Sequence, residues 1–107
     1  MERHGQVIQV KPEELDKYKR LHAQVWPEVL ETIKECNIKN YTIFHKDDYL
    51  FQYFEYVGDD FEKDMEKMAQ DPATQEWWDI CKPLQQPLST REEGEWWAEM
   101  EEVFHTD

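Results

Sequence analysis

Apolar residues recur along this chain in two rhythms, and the changes of rhythm mark the elements. Gln6–Val10 (QVIQV) is a short run of β-forming residues. Lys11-Pro12-Glu13-Glu14 then predicts a helix start: proline fits the first turn, and the acids face the positive end of the helix dipole. Leu15, Tyr18, Leu21, His22 and Val25 follow at spacings of three and four, which is one face of a helix. Val29, Leu30 and Ile33 resume that rhythm beyond Pro27. Because Pro27 lacks a backbone N–H, the pattern predicts either a kink or a second helix beginning near Trp26-Pro27-Glu28. Cys36-Asn37 ends the segment.

The period then switches to two. Asn40-Tyr41-Thr42-Ile43-Phe44 and Tyr49–Val57 (YLFQYFEYV) flank a polar His45–Asp48 connection and predict a β-hairpin. Alternation places Leu50, Gln52, Phe54 and Tyr56 on one face of the second strand, and Tyr49, Phe51, Tyr53, Glu55 and Val57 on the other. Neither face is simply polar, so both are expected to be at least partly covered. Gly58-Asp59-Asp60 predicts a turn and N-cap before a helix with Phe61, Met65, Met68 and Ala69 on one side. Asp71-Pro72 breaks that helix, a shorter one carries Thr74–Ile80, and Pro83 and Pro87 bracket a loop. Glu102-Val103-Phe104-His105 is expected to close the chain as a last strand.

This order, β-α-β-β-α-β, is that of a ferredoxin-like α+β fold, here one domain over residues 1–107. Its helices cover one face of a four-stranded antiparallel sheet. The other, apolar face calls for a partner, and a homodimer packing two such faces together supplies it.

Charge narrows the function. The formal net charge is −13, but residues 1–53 hold 8 basic and 9 acidic side chains, whereas residues 54–107 hold 4 and 16. Such a field opposes nucleic acid and anionic membrane as partners. Five each of Phe, Trp and Tyr exclude a disordered, solvating chain. No apolar run reaches the roughly 20 residues of a membrane span, and MERHGQVIQV has no signal-peptide pattern, so a cytoplasmic protein is expected. Cys36 and Cys81 are isolated in sequence and are expected as buried reduced thiols, not a disulfide or metal site.

Among candidates for chemistry, Tyr18, His22 and Trp26 stand out, because successive i, i+4 steps align a phenol, an imidazole and an indole on one helical face. On pattern alone they suit an amphipathic boundary as well as a cleft in which His22 moves protons near neutrality. Tyr41 is either an ordinary strand tyrosine or a second phenol in that cleft. Trp77 and Trp78 diverge by about 100° on a helix, so one of them must be part-exposed or meet a ligand or second subunit. Trp96-Trp97, flanked by acids, reads as a peripheral segment packing on the body or on a partner chain. His4, His45 and His105 read as surface or strand-end residues. With three glycines, no phosphate loop and no histidine pair at ligand spacing, no cofactor or metal is implied.

Taken together, Tyr18, His22 with Trp26-Pro27-Glu28, Asn40-Tyr41 and Trp77-Trp78 resemble the L-rhamnose mutarotase family in order and spacing over nearly the whole chain. The resemblance implies a dimeric ferredoxin-like α+β barrel arrangement and interconversion of the α and β anomers of a 6-deoxy-L-sugar. The position matching the family's proton donor is His22, and those matching its sugar contacts are Tyr18, Tyr41, Trp77 and Trp78. Arg91–Ala98 is richer in acid and indole than the family's tail. That bears on which sugar is taken, L-rhamnose or L-fucose, its nearest competitor, which differs at C2 and C4. Two other readings share the features: a cofactor-independent monooxygenase of the same fold, and a non-catalytic assembly module using exposed tryptophans and the acidic tail.

Overall fold

A computed structural model describes all residues, Met1–Asp107. Strands β1 (Glu2–Val10), β2 (Ile38–Lys46), β3 (Tyr49–Tyr56), β4 (Gln85–Gln86) and β5 (Ala98–Met100) form one sheet, packed against helices α1 (Leu15–His22), α2 (Pro27–Glu35), α3 (Phe61–Gln70) and α4 (Pro72–Cys81). The spatial order is β2-β3-β1-β4, and β5 also pairs with β1. Every pairing is antiparallel. β4 covers Gln9 and Val10 of β1, and β5 covers Gly5–Val7, so two short segments share the fourth-strand position. This is the ferredoxin-like α+β arrangement anticipated from the element order.

The break at Pro27 is a second helix, not a kink. Trp26, preceding proline, is extended at φ −59° and ψ 136°, and α2 begins at Pro27. The expected cap forms at Asp60, which accepts from the Lys63 N–H at 3.2 Å; Asp71, read only as a helix break, also caps α4, accepting from the N–H of Thr74 at 3.0 Å and from its hydroxyl at 2.9 Å.

The chain end departs from expectation. The last strand is Ala98–Met100, whereas Glu102–His105 lies outside any strand, with Val103 and Phe104 exposed by 86% and 70%. Pairing falls where the residues leading into the strand, Trp96 and Trp97, have an interior to pack into, beside Ile8, Val10 and Leu50. Ala69 is likewise exposed instead of sharing the buried side of α3. Phe61, Met65 and Met68 face Ile38, Phe54 and Tyr56, and Ala69 stands about 80° around from Phe61, off that stripe.

Leu50, Gln52, Phe54 and Tyr56 point under the helices, and all four are buried. The opposite face is less covered in the single chain, leaving Phe44 exposed by 64% and Tyr49 by 39%. Cys36 and Cys81 are buried free thiols. No helix is long and apolar enough to cross a membrane.

Candidate active site

The helices do not fill the covered face of the sheet. Between them lies a mostly apolar cavity of about 370 Å³, whose walls include all five sequence-derived site residues: Tyr18, His22, Tyr41, Trp77 and Trp78. That volume is in the range of small-molecule sites.

Helix α1 presents Tyr18 and His22 one turn apart, with ring centroids 4.1 Å apart and planes at 22°. His22 Nδ1 lies 2.9 Å from the Tyr18 main-chain carbonyl. A carbonyl can only accept, so Nδ1 carries the hydrogen, and the neutral ring keeps its lone pair on Nε2. Burial lowers the His22 pKa below the ordinary 6.5, against a smaller opposing effect of that hydrogen bond. The imidazole is therefore neutral at neutral pH and able to take a proton. Tyr18 is 4% exposed, its oxygen accepts from Gln85 Nε2 at 3.2 Å, and desolvation pushes its phenol pKa well up.

Tyr41 reaches the cavity through a register shift. Lys39 pairs with Glu55 and Thr42 with Tyr53, so Asn40 and Tyr41 together oppose Phe54 in a β-bulge. Asn40 takes the left-handed conformation at φ 53°, and its side chain donates to Glu55 Oε1 at 2.7 Å. Strict alternation from buried Ile38 would turn Tyr41 outward, and the extra residue turns it in. Its hydroxyl donates to Gln52 Oε1 at 2.7 Å, and although the residue is 40% exposed, desolvation of that hydroxyl raises its pKa strongly.

The adjacent indoles of α4 divide as their divergence requires. Trp77 is buried, with its ring edge-on to His22 and to Trp26, each at 5.2 Å. Trp78 is half-buried, and the Lys82 ammonium stands 5.1 Å from its ring and 5.4 Å from that of Trp96. This cation between two indoles closes one side of the cavity.

Several wall residues had escaped the sequence reading. Trp96 and Trp97 pack on the body, as one of the two readings had it, but there they line the cavity, and Trp96 Nε1 donates to Gln85 Oε1 at 2.7 Å. Gln6, Gln52, Gln85 and Lys82 join them. A signal for Gln52 was present, since it alone is polar among Leu50, Phe54 and Tyr56 on one strand face. Gln6 and Gln85 carried no comparable signal. His4, read as a surface or strand-end residue, lies near the start of β1 and is half-buried. It is stacked on Phe54 and Phe61 at 4.9 and 4.5 Å, and its ring nitrogens meet Glu99 at 2.9 Å and Glu2 at 3.1 Å. His45 and His105 are exposed. No three His, Cys, Asp or Glu side chains converge as a metal site needs. The cavity thus offers one proton-accepting imidazole, two phenols, three glutamine amides and aromatic walls, a set suited to a polar ring with apolar faces.

The family model for L-rhamnose mutarotase matches residues 3–106. An L-rhamnose mutarotase of Oceanobacillus iheyensis is 33% identical with all of both chains covered, and that of Bacillus subtilis is 29% identical over the same full extents. Among solved structures, an L-rhamnose mutarotase from Formosa agariphila superposes with TM-score 0.77 at 23% identity, covering all of both chains. Tetracenomycin F2 cyclase from Streptomyces glaucescens reaches 0.75 at 16% identity, covering 100% of this chain and 98% of the cyclase. Two chemistries thus share this fold, and the fold does not choose between them. The sequence match does, and this chain belongs to the L-rhamnose mutarotase family.

Proposed function

We propose that the protein interconverts the α and β anomers of a 6-deoxy-L-sugar, L-rhamnose before L-fucose, in the cavity between α1, α4 and the sheet. The observation that carries this reading is the neutral, desolvated His22 with Nε2 free beside Tyr18, in a chain matched to the family over residues 3–106.

Ring opening requires the C1 hydroxyl to lose a proton and the ring oxygen to gain one. Both oxygens are bonded to C1, so a single imidazole nitrogen between them serves both. His22 Nε2 takes the hydroxyl proton as the C1–O bond to the ring breaks, and the imidazolium delivers it to the departing ring oxygen. Rotation about C1–C2 exposes the other aldehyde face, and the reverse transfers close the ring. The desolvation that keeps His22 neutral also makes its imidazolium a ready donor. His22 thus acts as the proton donor expected of it, with a proton it has itself removed. Tyr18 and Tyr41 hold hydroxyls, and Trp77 and Trp78 cover C–H faces and the C6 methyl.

The exposed sheet face with Phe44 and Tyr49 supports a homodimer built on that face, and the free buried thiols suit a reducing cytoplasm. Saturation-transfer NMR between the anomeric protons tests the activity. Added exchange with L-rhamnose is expected, weaker with L-fucose, and no added exchange with either sugar overturns the reading. Sedimentation equilibrium tests the dimer, and a monomer at micromolar concentration overturns it.

A further inference from the structure

Two chains of hydrogen bonds end on the two phenols of the cavity, one beginning at Trp96 just before β5 and the other at Glu99 within it. An amide has a donor end and an acceptor end of like shape, so the direction of such a chain is set by its terminal groups. The first chain begins at Trp96. An indole N–H only donates, and it meets Gln85 Oε1 at 2.7 Å, so the amino end of Gln85 is the end that faces Tyr18, at 3.2 Å. The Tyr18 oxygen must accept there, and its own hydrogen has no acceptor in the protein.

The second chain begins at Glu99. A carboxylate only accepts: one oxygen lies 2.6 Å from Gln6 Nε2 and the other 2.9 Å from His4 Nδ1. Gln6 therefore turns its carbonyl to Gln52 Nε2, and Gln52 turns its own carbonyl to the Tyr41 hydroxyl at 2.7 Å. The Tyr41 hydrogen is spent on Gln52, and its oxygen meets the cavity with lone pairs only.

We propose that Trp96 and Glu99 assign the two phenols opposite roles toward the ligand, Tyr18 as donor and Tyr41 as acceptor, and so set which sugar oxygens each can hold. Trp96 and Glu99 are positioning residues, since each acts through glutamines. A ring ether oxygen can only accept, so Tyr18 is the phenol able to engage it, and Tyr41 requires a sugar hydroxyl that donates. The proposal rests on the sugar reading above and adds a direction to each contact.

Its test uses the full chain with L-rhamnose and its 2-, 3- and 4-fluoro-deoxy analogues, because fluorine cannot donate a hydrogen bond. In the wild type, the analogue fluorinated where Tyr41 sits should raise KM about tenfold, the worth of one hydrogen bond of ordinary strength. In Glu99→Gln the terminal group can also donate, the chain can reverse, and that penalty should shrink to about twofold or less. Glu99→Asp should keep it. In Trp96→Phe, Gln85 is free to turn and claim the Tyr18 hydrogen, and kcat for L-rhamnose should fall about tenfold with the fluoro preference retained. An unaltered fluorine penalty in Glu99→Gln, the absence of any penalty in a wild type that turns over L-rhamnose, or an unaltered kcat in Trp96→Phe overturns the proposal. A wild type without exchange overturns the sugar reading instead. Neutron diffraction from the deuterated wild type reads the hydrogens without mutation or turnover. Deuterium on Tyr41 pointing to Gln52, and on Tyr18 pointing away from Gln85, is expected; the reverse at either phenol overturns the assignment.

Discussion

His22 and Tyr18 are joined twice, by ring stacking at 4.1 Å and by the 2.9 Å hydrogen bond from the imidazole Nδ1 to the tyrosine carbonyl. One helical turn thus sets both the tautomer and the orientation of the imidazole. A side chain bonded to a carbonyl that its helix holds in place needs no distant element to aim it.

This arrangement predicts the pH dependence. Anomer exchange should fall on the acid side with a midpoint below pH 6.5, because proton removal needs neutral His22 and burial lowers its pKa. His22→Ala should slow exchange by about 100-fold or more while the protein stays folded. Saturation transfer across a pH series reads both, and a midpoint above 6.5 would contradict the desolvation argument. The same lowering acts on stability. The unfolded chain takes up the proton first, so this contribution is full above pH 6.5 and is lost as pH falls toward the folded value.

The bulge at Asn40 predicts a second contrast. Its φ of 53° is costly for a β-branched residue and free for glycine. Asn40→Val should cost about 1–3 kcal/mol in urea unfolding and raise KM through displacement of Tyr41. Asn40→Gly loses only the bond to Glu55 and should stay within about 1 kcal/mol. Equal effects of the two substitutions would mean the left-handed backbone is not what places Tyr41.

Gly58 is required by space. A Cβ there would stand 2.7 Å from Cζ of Tyr56 and 2.8 Å from Nδ2 of Asn37. Tyr56 cannot yield easily, being buried, with its hydroxyl donating to Asp64 at 2.6 Å and accepting from the Asp60 N–H at 2.9 Å. Gly58→Ala should therefore destabilise by about 1–3 kcal/mol. At Gly94, with φ 87° and nothing within 4 Å of the added atom, alanine meets only the backbone cost of about 1–2 kcal/mol. Denaturant midpoints compare the two, and a Gly58→Ala protein as stable as wild type would refute the packing argument.

The Tyr56 hydroxyl also predicts alkaline behaviour. Burial and the Asp64 carboxylate push its pKa up from 10.0 to about 12. A raised folded value means the contribution is intact below pH 10 and is lost as pH rises toward 12. Tyr56→Phe should be less stable at neutral pH, by about 1–3 kcal/mol for the partners left behind, and should lose less stability between pH 10 and 12. Urea midpoints at pH 8 and 11 measure this, and parallel losses in both proteins would remove Tyr56 as the cause.

Much of the site was legible because it is local. Tyr18 and His22 share a helical face by spacing alone, and the divergence of Trp77 and Trp78 follows from helix geometry whatever the rest of the fold does. Tyr41 was legible as a residue but not as a direction, since its inward aim depends on a bulge that appears only when β2 meets β3. Gln6, Gln85 and the Trp96-Trp97 pair were not legible as site residues. Gln6 bonds Glu99 across 93 positions, Gln85 bonds Tyr18 across 67, and Trp96 and Trp97 pack beside Ile8, Val10 and Leu50; periodicity carries no information over such separations.

The order of the main elements, the capped start of α3, the face that α1 turns inward and the aromatic supply for a cleft can all be read along the chain. Each of these rests on interactions within a few residues. Long-range packing alone makes Ala98–Met100 the last strand, half-buries His4 against Phe54 and Phe61, and carries the chains from Trp96 and Glu99 to the two phenols. Strand pairing beside β1 creates those contacts, and which segment wins that edge depends on whether its neighbours find an interior to bury into. Trp96 and Trp97 find one, and Val103 and Phe104 do not.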